Sequence, residues 1–86
     1  MSVPAKCKEL IGLLVDGGWS FVLNHGEDTG GSPFVTIEAR RPSDHPRGFD
    51  HLMITWHTRN TGTYRLFSCM LNRRDVPLKK ALEVAA

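Results

Sequence analysis

With 86 residues, 41% hydrophobic and 23% charged, the chain has one domain's length and the balance of a globular rather than a disordered polypeptide. Its net charge of +2 is too small to mark a nucleic-acid binder by itself, and no apolar run approaches the roughly 18 residues of a membrane span. Cys7 and Cys69 lie far apart with no Cys-x-x-Cys pair, which predicts two reduced, buried thiols in a cytoplasmic chain.

The first predicted element is a helix. Ser2 is its expected cap and Pro4 sits in its first turn. Cys7, Leu10, Ile11 and Leu14 recur at helical spacing and form one apolar stripe. Lys6, Lys8 and Glu9 interrupt the apolar residues from Met1 to Leu14, so the segment does not read as a signal peptide. Gly17-Gly18 ends the helix, because glycine enters the left-handed region without a Cβ penalty.

Strand-like runs follow. Trp19, Phe21 and Leu23 alternate with Ser20, Val22 and Asn24, and His25 to Ser32 reads as an acidic loop. Pro33 to Arg40 is a second run, with Val35, Ile37 and Ala39 on one face. Arg41 to Gly48 reads as a loop, Phe49 to Arg59 as a third run and Thr63 to Leu71 as a fourth. Asn60-Thr61-Gly62 is a three-residue hairpin signal between the last two. A loop of that length sets Trp56 opposite Leu66, Ile54 opposite Ser68 and Leu52 opposite Met70 on an inner face. The outer face then pairs His57 with Arg65, Thr55 with Phe67 and Met53 with Cys69, with Leu71 beyond. A slip of one residue would exchange these faces along one strand.

Asp75 is the expected cap of a closing helix, with Pro77 in its first turn and Leu78, Ala81, Leu82 and Ala85 as its apolar stripe. The resulting fold class is α+β: a single domain over residues 1–86 made of a helix, a three- or four-stranded antiparallel sheet and a helix, with both helices on one sheet face. The expected core is Leu10, Ile11, Leu14, Trp19, Phe21, Val35, Ile37, Leu52, Ile54, Trp56, Leu66 and Leu82.

The opening Lys8-Glu9-Leu10-Ile11-Gly12-Leu13-Leu14, followed by Gly18-Trp19 and a strand, resembles the start of HicA-type toxins, small ribonucleases with a double-stranded-RNA-binding-domain type of fold. The likeness covers roughly the first quarter of the chain and the terminal helix. That family carries its histidine in a Gly-Ser-His-His-like stretch after the first strand. Here the matching stretch is Asn24-His25-Gly26-Glu27-Asp28, so the resemblance reaches His25 alone. In size and style the chain is also similar to small accessory proteins of actinobacterial phages.

Chemistry-bearing motifs are sparse. Asp44-His45 and Asp50-His51 are acid–histidine dipeptides, but two of them across a Pro-Gly loop do not specify the converging ligands of a metal site. No catalytic triad, P-loop or dinucleotide fingerprint occurs. Arg40-Arg41, Arg47, Arg73-Arg74 and Lys79-Lys80 would follow phosphates only if the fold gathered them. His57 opposite Arg65 is the pair best placed for a base or phosphate contact, and Arg59, Thr55 and His51 share its face. No cofactor, metal or catalytic residue is assigned. The expected function is a non-enzymatic accessory or regulatory binding module. It would contact a protein partner, or a second copy of itself, through an outer sheet face that two short helices leave uncovered. Met53, Thr55, His57, Arg65 and Phe67 are the candidate binding residues. The alternative is an RNA-binding protein or HicA-like ribonuclease, for which a basic, histidine-bearing concavity would be the mark.

Overall fold

A computed structural model describes residues 4–58 and 62–86. The expected Ser2 cap, Arg59 and the Asn60-Thr61 turn lie outside the described residues. Helix α1 spans Ala5–Asp16. Pro4 precedes it rather than occupying its first turn, and the Pro4 carbonyl accepts from the amides of Cys7 and Lys8. The helix ends as its glycines predict. Gly18 takes φ +74°, the Trp19 amide reaches back to the Leu14 carbonyl and the Gly18 amide to that of Val15. This 6→1 and 5→2 closure satisfies carbonyls that a bare helix end leaves open.

Five antiparallel strands follow in simple meander order: β1 Ser20–Glu27, β2 Pro33–Pro42, β3 Phe49–His57, β4 Arg65–Leu71 and β5 Arg74–Asp75. Helix α2, Leu78–Ala85, closes the fold. The α+β class holds, with five strands in place of the three or four expected. Cys7, Leu10 and Leu14 of α1 and Ala81 and Ala85 of α2 join Val35, Ile37, Ala39, Leu52, Ile54, Trp56 and Cys69 in one buried cluster. The sheet residues alternate along their strands, so both helices share one sheet face. Leu82, Ile11 and Phe21 pack against this cluster only partly buried.

The β3–β4 register begins as the hairpin signal implies, with His57 opposite Arg65 and Trp56 opposite Leu66. It then shifts by one. Thr55 faces Ser68, Ile54 faces Cys69, Met53 faces Met70 and Leu52 faces Leu71. Phe67 is the extra residue of a β-bulge, which leaves two residues opposite one and reverses the alternation beyond it. The expected pairs Thr55–Phe67, Met53–Cys69, Ile54–Ser68 and Leu52–Met70 are therefore corrected. Cys69 and Leu71 turn inward, and Ser68 and Met70 turn outward. The exchange improves burial: without it Ser68 would enter the core and Cys69 would leave it. Leu66 keeps its partner but is 44% exposed, so it is not a core residue as expected.

The short fifth strand comes from a two-residue turn at Asn72 and Arg73, both left-handed at φ 52° and 68°. Two positive values are the signature of the type I′ hairpin. Asn72 is held from three directions. Its amide donates to the His51 carbonyl, its side-chain oxygen accepts from the His51 amide, and its Nδ2 donates to Asp50. Asp75, expected to cap α2, pairs with Met70 in β5 instead. The Pro77 carbonyl accepts from Lys80 and Ala81, as Pro4 does at α1.

The two ends of the fold meet at Trp19. Its indole N–H donates to the Ala85 carbonyl at 3.2 Å. Arg41 donates to the Val84 carbonyl at 3.3 Å and lies over the Trp19 ring, 4.5 Å from its centroid. Gly17 lets this happen, since a Cβ there would stand 2.6 Å from the Ala85 oxygen.

Two measurements check this packing. Gly17→Ala is expected to cost about 1–3 kcal/mol by overpacking against α2. Gly12→Ala, where a Cβ meets open space, should stabilise by about 0.5–1 kcal/mol. Equal effects in chemical denaturation would show that Gly17 does not carry the close approach. Cys7 and Cys69 are free and buried. Burial pushes both thiols up, with the Asp75 carboxylate adding to the shift at Cys69. Ellman's reagent should therefore reach both only on unfolding. Rapid reaction of Cys69 in the native protein would restore the register without the bulge.

Candidate functional site

The helix-free face of the sheet is ordered in rows. Ser20, Arg40 and His51 form the first, and Val22, Glu38, Met53 and Met70 the second. Asn24, Thr36, Thr55 and Ser68 form the third, in which the Thr36 and Thr55 hydroxyls share a hydrogen bond of 3.0 Å. Gly26, Phe34, His57 and Arg65 form the fourth. The five residues singled out from the sequence, Met53, Thr55, His57, Arg65 and Phe67, thus fall on one surface. Phe67 reaches it through the bulge rather than through regular alternation. Leu71, expected on this face, lies on the other.

The most ordered part is around His57. Its ring stands between Phe34 and Phe67, with centroids 6.3 and 5.7 Å away. Gly26 makes room for this row, because a Cβ there would collide with the Phe34 ring. His57 Nε2 lies 3.0 Å from Asp28 Oδ2. The other Asp28 oxygen accepts from the amides of Gly30 and Ser32, while the Asp28 amide donates to the Ser32 carbonyl. The turn between β1 and β2 therefore holds a carboxylate over the imidazole. The Ser32 amide, followed by the Gly30 amide and the His57 ring, holds the Asp28 carboxyl below its usual range.

Asp28 and Phe34 were not among the candidates read from the sequence. The only available signal was the Asp-x-Gly-Gly turn pattern, which predicts a loop but not what its carboxylate reaches. His57, expected opposite Arg65 for a base or phosphate contact, keeps that partner but also has a carboxylate against its ring. The side chain is only 12% exposed, which suits an ordered wall better than a base awaiting substrate.

The remaining histidines separate. Glu38 Oε1 lies 3.6 Å from His51 Nε2 and 3.6 Å from the Arg40 guanidinium. His45 organises its own loop, where its Nδ1 accepts from the Arg47 amide. His25, the residue reached by the toxin resemblance, pairs with Val35 and so has the opposite parity to the His57 row. Asp44, His45, Asp50 and His51 form no metal cluster, and no group of three or more potential ligands converges among the described residues. Arg40 and Arg47 both lie against the Phe49 ring, at 5.1 and 5.3 Å, while Arg41 is engaged at Trp19. No helix among the described residues is long and apolar enough to cross a membrane.

No family model matches the chain, nor does any curated protein or solved structure.

The Asp28 turn carries a signed pH prediction. A carboxyl lowered by folding stabilises the fold above its unfolded pKa of about 3.9. That contribution disappears as pH falls through the still lower folded value. Asp28→Asn should therefore lower the melting temperature at pH 7, and the gap to wild type should close with acidification below about pH 4. A gap that stays constant between pH 7 and pH 3 would sever the turn from Asp28 ionisation.

Proposed function

We propose that this chain is a small, non-enzymatic accessory or regulatory module of the cytoplasm that binds a protein partner through the open sheet face. The observation that carries the proposal is the composition of that face. Phe67 is 54% exposed, and on the same face Met53 and Met70 lie directly opposite each other. Phenylalanine supplies contact area, and methionine adapts its shape to a partner. Around these side chains the charges have both signs, with Asp28 and Glu38 set among Arg40 and Arg65. A surface built for a polyanion would carry one sign. Mixed charge around apolar contacts fits a protein surface better.

A second class of partner has one observation in its favour. The side-by-side rings of Phe34, His57 and Phe67, with Arg65 opposite His57, resemble a stacking platform for unpaired bases. The carboxylate on His57 and the placement of His25 in the other parity count against a ribonuclease built on both histidines.

Burying Phe67 would contribute about 1.5–3 kcal/mol to association. Phe67→Glu should therefore abolish partner capture from the native host while circular dichroism and melting stay close to wild type. The expected partner is a protein recovered by wild type with and without nuclease, and lost with Phe67→Glu. Capture that survives Phe67→Glu would overturn the assigned surface. Capture that vanishes with nuclease, together with tight binding of a short single-stranded RNA, would move the function to the stacking platform.

A further inference from the structure

The sheet has two unlike edges. At one, β5 is only two residues long, with charged Arg74 and Asp75, and the chain turns directly into α2. At the other, β1 offers eight residues whose outer backbone edge no strand covers among the described residues. Protein edges are commonly blunted by lysine, proline or a bulge. From Ser20 to Gly26, β1 contains no proline and no lysine or arginine, and its pairing with β2 is regular throughout. Val22, the third residue of this stretch, stands exposed. Phe21 and Leu23, on the opposite face, are only partly buried against the core.

The order Ser20-Phe21-Val22-Leu23-Asn24 is polar, three apolar, polar, and so is symmetric about Val22. Two copies of one strand running antiparallel are related by a two-fold axis, which sets residues of the same face opposite one another. If Val22 faces the partner copy's Val22, Phe21 faces Leu23 on the helix side and Ser20 faces Asn24 on the open side. Apolar then meets apolar, and polar meets polar, at every pair. Moving the axis to Leu23 sets Val22 against Asn24 and Phe21 against His25. Moving it to Phe21 sets Val22 against Ser20. Pattern matching of this kind specifies strand register.

We infer that β1 is a self-recognition edge: two copies of this chain join antiparallel through β1 with Val22 on the two-fold axis, making one continuous ten-stranded sheet. The inference is independent of the partner surface around Phe67, because β4 lies three strands away, or roughly 14 Å at ordinary strand spacing. The pairing joins the two open faces edge to edge and leaves each Phe67 accessible.

Sedimentation equilibrium and cysteine cross-linking on the full chain test it together. Wild type is expected to sediment as a dimer at tens of micromolar, and Val22→Lys as a monomer with an unchanged circular dichroism spectrum. Under mild oxidation Val22→Cys should form a covalent dimer at least tenfold faster than Asn24→Cys, whose two copies would stand four residues out of step. Phe67→Glu should remain dimeric. A monomeric wild type, a dimer that survives Val22→Lys, or equal cross-linking at positions 22 and 24 would each overturn the edge pairing. A dimer lost with Phe67→Glu but kept with Val22→Lys would place self-association on the open face instead.

Discussion

The indole N–H of Trp19, donated to the carbonyl of Ala85, joins the start of the sheet to the last turn of α2. Arg41 reaches the neighbouring carbonyl of Val84 and lies across the same indole. A helix of eight residues is too short to persist in water on its own propensity. Its final carbonyls also have no helical partners. Here a tryptophan and an arginine supply the missing donors, and the guanidinium adds a positive charge at the negative end of the helix dipole. Much else follows from this junction. Gly17 must lack a side chain to admit it, and α1 must stop where it does so that Trp19 can turn beneath α2. With α2 docked, Ala81 and Ala85 seal the helix side of the sheet. The two short helices are committed to that face, and the other is left open.

Much of this arrangement was legible in the sequence because it depends on local chemistry. Helical spacing placed α1 and α2, paired glycines ended α1, and alternation found the four long strands. Three features were not legible, each for a physical reason. The bulge at Phe67 is a choice between two patterns that alternate equally well over short stretches. Core packing decides it, by preferring Cys69 and Leu71 inside to Ser68 and Met70. The β5 hairpin turns on Asn72 and Arg73, and an arginine in the left-handed region is not a turn signal that propensity provides. Its conformation is imposed by the grip of His51 and Asp50 on Asn72. The start of α2 was misplaced because the Asp75 side chain was favoured as its cap, whereas Asp75 pairs in β5 and Pro77 takes the cap position without a side-chain bond.

The candidate surface shows the same division. Its members could be gathered by parity, which is why Met53, Thr55, His57, Arg65 and Phe67 do share a face. Their order could not be read, because it is tertiary. The carboxylate that steadies His57 comes from a turn about thirty positions earlier, and the ring beside it comes from β2 across Gly26. Alternation says which way a side chain points. It does not say whether a neighbour leaves that side chain free to react or fixes it in place.

The junction at Trp19 also bears on how the chain acquires its fold. Each β-hairpin connects strands adjacent in sequence, so the meander can form progressively as it is synthesised. The bond from Trp19 to Ala85 spans 66 positions and that from Arg41 to Val84 spans 43. Neither can close before its acceptor, Ala85 or Val84, has left the ribosomal tunnel. Until then the helix side of the sheet lacks Ala81 and Ala85, and the nascent meander exposes apolar surface on both faces. The interval between emergence of β4 and arrival of α2 is therefore when the chain is most open to wrong association, and when a chaperone would have most to cover.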